Sequence, residues 1–452
     1  MKKLITTLRN IWKIKELRNR ITFTMIILMV YRFGSFVVLP GVDTAKLQSA
    51  PAKGNDLFDL INTFTGGAFN NAAVFALGIM PYITASIIIQ LAGFAVPYFQ
   101  RLQQREGESG RKKITQITRL LTVLITLVQG GGYLAYLNQQ GAVVGPEVLS
   151  PTVFWISNVI ILSTGTVFAM WLGEKITDRG IGNGISLLIM IGIIATLPQA
   201  IAYEFTQQFG LTFVIEIAAL FFVVMATVMI VQAVRKIPIQ FAKRMVGRGT
   251  AAMPVSGNRD YIPIKVNASG VMPIIFAQAL MFIPATALQL LAQKGSSLAT
   301  NDFLVKLNDF TSAPYNVLYF LMVVVFTYVY TALLVNPQQY SEYLKRQNAF
   351  IPGIKPGKKT ADFIDSVTTR ITLPGSIFLG FIAILPAFAS MFGINTGFAM
   401  FFGGTSLLIL VAVVLDTLQQ IESHLLMRKY DGLVKSGRLK GRSGVQGIGA
   451  SM

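Results

Sequence analysis

Hydrophobic and polar positions fall in long blocks along this chain. Ten apolar runs cover 21–40, 74–96, 116–137, 151–172, 181–199, 211–233, 269–291, 315–336, 370–390 and 397–416. Each is near the ~20 residues a helix needs to cross a bilayer. Membrane strands would instead show ~10-residue segments of alternating polarity. The pattern therefore predicts ten spanning helices, numbered here spans 1 to 10. Span 1 is interrupted by Tyr31, Arg32 and Gly34 and is too long for a signal h-region, so it reads as a retained helix. The Gly/Ser-rich basic stretch 437–452 reads as a mobile tail.

One segment breaks the block pattern. Residues 55–73, NDLFDLINTFTGGAFNNAA, are too polar to span but carry Leu57, Phe58, Leu60, Ile61 and Phe64 at helical spacing, then a Gly66–Gly67 break. A short amphipathic helix is predicted. It could lie on the membrane surface, the commoner use of such a pattern, or be a re-entrant element buried in the protein. In span 2, Pro81 predicts a kink, with Ile79 and Ile83 sharing a face across it. In span 5, Ile185 and Ile189 share a face, and Gly182 and Gly184 permit close packing at its end. Such isoleucine pairs suit lipid contact, core packing or an apolar pore constriction, and periodicity does not separate the three.

Charge orients the spans. Of the 39 Lys and Arg residues, 32 fall in 1–20, 97–115, 173–180, 234–268, 337–369 and 417–452, all on one side of a ten-span chain. The opposite loops hold only Lys46, Lys53, Lys294 and Lys306. This positive-inside asymmetry predicts that both termini are cytoplasmic. It absorbs nearly the whole net charge of +19, so no DNA-binding footprint is needed. Composition agrees: 53% hydrophobic against 13% charged, with mean hydropathy +0.59, where a soluble domain carries roughly 25% charged residues.

Little is available for catalysis. There is no Cys and one His, His424, which excludes disulfides, thiolate metal sites and any secure Ser-His-Asp triad. GIGNGI opens a span rather than a strand–turn–helix unit, and no Walker A, HExxH or GxSxG occurs. No cofactor is expected. Charges inside the spans are few: Arg32, Glu216 near the outer end of span 6 and Asp416 at the inner end of span 10, beside uncharged Gln90, Gln129 and Asn183. Arg32 reads as a snorkelling or internally paired side chain. An ion-coupled transporter would show more mid-membrane charge. Loops 234–268 and 337–369 are longer than orientation requires and carry IPIQFAKRMVGRG and EYLKRQNAFIPGIKPGKKT, which fits docking of an acidic partner.

The chain resembles the SecY family of bacterial protein-translocase channels from about residue 20 to about 430. The resemblance rests on TGGAFNNAAVFALGIMPYITASIIIQL (65–91), REGESGRKKITQITR (105–119), GEKITDRGIGNGISLLI (173–189), IPIKVNASGVMPIIFA (262–277), AFIPGIKPGKKT (349–360) and GGTSLLILVAV (403–413), in order and on the expected sides. It implies an all-α polytopic fold in the bacterial inner membrane, with two pseudo-symmetric five-helix halves around an hourglass pore. The implied parts are a cytoplasmic N-terminus (1–20), an N-terminal half (21–204), a C-terminal half (205–416) and a cytoplasmic tail (417–452). It implies a protein-conducting channel without enzymatic activity, which passes unfolded precursors bearing signal sequences and releases apolar segments into membrane lipids.

The resemblance also implies site residues. Segment 56–72, with Phe64, Thr65, Gly66 and Gly67, corresponds to a plug closing the pore from outside. Ile79, Ile83, Ile185, Ile189, Ile275 and Ile409 correspond to the aliphatic pore ring. Spans 2 and 7 correspond to the lateral gate, with Gln90, Gln129, Asn183, Ala279 and Ile283 at gate positions. Lys243, Arg244, Arg248, Lys355, Lys358 and Lys359 would dock the SecA motor or the ribosome, and SecE and SecG are implied as small membrane partners. Three positions depart from the family's common pattern: Lys355 stands where arginine is common, Gly249 where a second basic residue is often found, and Ile283 where some members carry an aromatic. Lysine keeps the charge at 355 but loses the planar two-pronged donor. The competing readings are a secondary transporter for a small solute and a membrane-embedded enzyme, for which only Glu216 and Asp416 offer chemistry.

Overall fold

The computed structural model describes residues 12, 14–49, 56–104, 107–143, 150–207, 210–241, 244–246, 253–255, 259–278, 280–281, 306, 309 and 311–435. Among the described residues, seven helices are long and apolar enough to cross a membrane, and they carry spans 3, 4, 5, 6, 8, 9 and 10. Span 3 is Gly107–Gln139, span 4 Pro151–Arg179, span 5 Gly184–Gln207 and span 6 Leu211–Gln232. Span 8 is Ala313–Leu334, span 9 Lys358–Met391 and span 10 Gly404–Lys435. Span 1 is helical over Lys15–Gly34, but Lys15, Glu16, Arg18, Arg20 and Arg32 lower its apolar content. Of span 7 the described helical residues are 272–278 and 280–281.

Span 2 departs from its predicted form. Its helix is Met80–Ala95, 16 residues, with Pro81 in the first turn. Proline is tolerated there because the N–H it lacks has no partner in a first turn anyway. Pro81 thus begins the helix instead of kinking it. Ile79 and Ile83 remain one turn apart, joined by an Ile83 N–H to Ile79 carbonyl bond of 3.1 Å. The preceding residues 66–79 form turns rather than the apolar helix expected from 74. Irregular backbone survives at membrane depth only when protein surrounds it. Here Ala68, Ala72, Ala73 and Ala76 are fully buried. The Leu39 N–H donates to the Ala72 carbonyl and the Val74 N–H to the Val37 carbonyl, each at 2.8 Å.

Span 6 buries only Glu216 and Thr227 and exposes Leu211, Phe221 and Phe222. Such a face has no stable place in water and fits lipid. The close packing expected at the start of span 5 is present at Gly184, where a Cβ would lie 2.7 Å from Ile176 Cβ of span 4.

On the side carrying the basic loops, the chain adds two small sheets to the helices, one of three strands and one of two. Strands β1 (Val234–Phe241) and β4 (Arg259–Lys265) pair antiparallel from Val234↔Lys265 to Gln240↔Arg259. β2 (Arg244–Val246) pairs with β3 (Met253–Val255), and β5 (Ala349–Phe350) joins the free edge of β1. Alternation in VRKIPIQF and RDYIPIK turns Ile237, Ile239 and Ile264 to one face. There they cluster with Leu344, Ala349, Ile351 and Ile364. The described parts of the two basic loops are therefore one folded platform, fastened to the end of span 9.

Candidate pore constriction

The six isoleucines converge. Ile79, Ile83, Ile189 and Ile409 are buried in one apolar cluster, and Ile185 and Ile275 pack against it. Four arrive from spans 2 and 5 of the N-terminal half and two from spans 7 and 10 of the C-terminal half. Ring-forming isoleucines and lipid-facing ones are alike in spacing, and only assembly of the helices distinguishes them. The cluster also contains Phe64, which lies outside every span.

Phe64 enters on the helix Asp56–Thr65. At the C-terminal end of this helix the surface placement favoured by pattern alone is not the one adopted: Thr63, Phe64 and Thr65 are buried at 9%, 7% and 1% exposure. The helix rests on span 5 where Gly192 has no side chain, and a Cβ there would come within 3.2 Å of the Gly66 nitrogen. Gly66 and Gly67 take left-handed φ values of 66° and 90° and end the helix. The Gly67 N–H donates to the Asn62 carbonyl at 2.9 Å, and the Asn70 N–H to Asn62 Oδ1 at 3.0 Å. From span 3, the Tyr133 hydroxyl donates to the Phe69 carbonyl at 2.6 Å and tethers the exit segment. Arg32 is internally paired: its Nη1 donates to the Gly66 carbonyl at 2.8 Å.

The polar positions are not gathered into one place. Gln90 of span 2 accepts a hydrogen bond from the Tyr330 hydroxyl of span 8 and donates from Nε2 to Ser86 Oγ at 3.0 Å. Gln129 is exposed in the far half of span 3. Asn183 is exposed and caps span 5, its Oδ1 accepting from the N–H groups of Ile185 and Ser186 at 3.2 and 3.3 Å. Tyr330 went unnoticed in the sequence, where one tyrosine in an apolar run carries no signal. In the structure it packs on Phe276 of span 7, ring centroids 5.2 Å apart, and so joins spans 2, 7 and 8. Ala279 and Ile283 lie outside the described residues.

On the platform, Lys355, Lys358 and Lys359 are exposed. The turn that carries them is held by the Ser341 hydroxyl donating to the Gly357 carbonyl at 2.7 Å and the Thr360 hydroxyl to the Lys355 carbonyl at 2.9 Å. Arg244 has its backbone in β2. Lys243, Arg248 and Gly249 lie outside the described residues.

Isoleucines from spans 2, 5, 7 and 10 thus meet in one buried apolar cluster, together with Phe64 from a short helix outside the spans. The fold matches a solved structure described as "The structure of a protein conducting channel", with a TM-score of 0.59 and 18% identity, over 89% of this chain and 91% of the other. Residues 73–418 match the SecY family. The protein translocase subunit SecY of Chlamydia muridarum is 38% identical over 97% of this chain and the relative's whole length. That of Streptomyces coelicolor is 41% identical over 96% of this chain and likewise its whole length. The chain belongs to the SecY family.

Proposed function

We propose that this chain is the protein-conducting channel of a translocase. Unfolded precursors pass through the isoleucine constriction, and apolar segments leave sideways into lipid between spans 2 and 7. The observation that carries this reading is the single apolar cluster of Ile79, Ile83, Ile189 and Ile409, with Ile185 and Ile275 against it and Phe64 filling it. An aliphatic ring presents no fixed hydrogen-bond partners to water or ions, so it resists leakage yet closes on any extended chain. A gate to lipid sorts segments by transfer free energy: a central Leu or Ile favours entry by ~0.3–0.6 kcal/mol, and a central Arg or Asp opposes it by ~2.5–3.5 kcal/mol.

In this reading the segment 56–72 is the plug, and Gln90 is a gate residue. The basic platform, with Lys355, Lys358 and Lys359 and the loop that holds Lys243, Arg244 and Arg248, faces the cytoplasm of a bacterium and receives the SecA motor or the ribosome. SecE and SecG are its small membrane partners. The supports are the family membership, the 32 to 4 partition of basic residues between the two sides and the exposure of the three lysines.

The cysteine-free chain supplies its own test. One Cys is placed at Ile83 and one in a stalled secretory precursor, and SecA and ATP are added. A crosslink at position 83, absent at the exposed Phe381 of span 9, is the expected result. A precursor that reaches the platform but never position 83 would overturn the conduction path.

A further inference from the structure

Arg32 is the deepest charge in span 1, and its surroundings account for it. A central arginine opposes membrane insertion by ~2.5–3.5 kcal/mol, so it persists only where something satisfies it. Among the described residues Arg32 makes no ion pair. Its guanidinium lies over the Phe36 ring, 5.3 Å from the centroid, and donates from Nη1 to the Gly66 carbonyl at 2.8 Å.

Gly66 is the residue just past the helix Asp56–Thr65. Carbonyls at a helix C-terminus lack intrahelical partners and carry roughly half a negative charge. A cation placed there gains a charge-assisted bond and a favourable dipole together. The fit is close: a Cβ on Gly66 would lie 2.5 Å from Arg32 Nη1 and 2.8 Å from Gly192 Cα, and its φ of 66° disfavours a side chain in any case. Spans 1 and 5 thus grip one point of the inserted helix from two directions.

We propose that Arg32 is a positioning residue that caps the helix Asp56–Thr65 from span 1 and holds Phe64 in the constriction, and so sets how readily the channel opens. The inference rests on the plug reading of segment 56–72. Withdrawal of the helix separates Arg32 from its acceptor, so the bond counts only toward the closed state and its loss shifts the balance toward opening.

The test uses the full channel in proteoliposomes with its partner subunits, with and without residues 57–65. A single Cys at Phe64 reports plug position through its labelling by a membrane-impermeant maleimide. Arg32→Met should raise labelling and resting ion permeability on the order of tenfold, as loss of one charge-assisted hydrogen bond requires. Arg32→Lys, with one donor group in place of the fork, should fall between. Gly66→Ala should reproduce the Met phenotype and stands in if that variant accumulates poorly. In the channel lacking 57–65, Arg32→Met should add nothing. Unchanged labelling and permeability in well-accumulated Arg32→Met and Gly66→Ala channels would overturn the proposal. So would an equal rise in permeability in the shortened channel, since Arg32 would then act elsewhere. If removal of 57–65 itself leaves permeability unchanged, the plug reading fails, and the cap with it.

Discussion

The two halves of the chain meet along two described seams of different chemistry. Where span 5 meets span 10, the main chain is bound. The Gly182 N–H donates to Gln420 Oε1 at 2.9 Å, and toward the other end of span 5 the Asn395 N–H, from the segment before span 10, donates to Glu204 Oε2 at 3.3 Å. Where span 2 meets span 8, two side chains make the polar contact, Tyr330 to Gln90, among the apolar rings of Phe276 and Phe326. Main-chain donors cannot rotate away, and a buried one left unpaired is costly. Side chains exchange partners by changing rotamer. A channel that opens toward lipid along one seam has its exchangeable contact there and its fixed contacts on the other.

This contrast can be broken experimentally, beginning with the largest effect on stability. Gly182 has φ 84°, and a Cβ there would lie 3.0 Å from Leu187 Cδ1 and 3.1 Å from Thr417 Oγ1. Gly182→Val should destabilise the channel by about 2–4 kcal/mol, seen as a lowered Tm in detergent. A Tm within a degree of the parent would remove the distinction between the seams. Gln420→Leu leaves the Gly182 N–H unpaired and should cost about 1–3 kcal/mol, with discrimination between strong and weak signal sequences unchanged.

At the other seam the signature reverses. Tyr330→Phe should cost only about 0.6–1.7 kcal/mol, the range for hydrogen bonds between membrane helices, and should raise export of precursors with weakened signals several-fold. Adding Gln90→Leu should restore stringency, because replacing both members of the Tyr330–Gln90 pair leaves neither of them orphaned. Equal stringency in the single and double variants would show that the pair plays no part in gating. Smallest in stability is Lys355→Glu on the platform, expected within about 0.5 kcal/mol of the parent because the side chain is exposed. It should nonetheless impair secretion while the channel itself still inserts. Normal export by that variant would remove the docking assignment.

Parts of this molecule were legible early and others were not, for reasons visible in particular residues. Helices at most predicted spans followed from apolar run lengths, although span 2 begins at Met80 and span 10 at Gly404, several residues past the starts of their apolar runs. Run length cannot tell a helix from buried turns, and 66–79 is turns. Pro81 was visible as a perturbation, but its position within the helix decides between a kink and a start. The grouping of the six isoleucines depended on the family resemblance, since Ile83 and the exposed Ile88 of the same span are chemically identical. Tyr330 and the Arg32–Gly66 bond left no pattern, because their partners are 240 and 34 residues away in sequence.

The amino-acid sequence alone determined that the chain is polytopic, where most spans run and which loops share a side. Those properties are sums over neighbouring residues: transfer free energy accumulates along a run, and basic charge accumulates in a loop. Tertiary structure alone decided which isoleucines face one another, that Thr63, Phe64 and Thr65 lie inside the protein rather than on the membrane, and that the described parts of two basic loops form one platform. These depend on which surfaces meet. A contact between residues far apart in sequence exists only once packing has brought both to the same place.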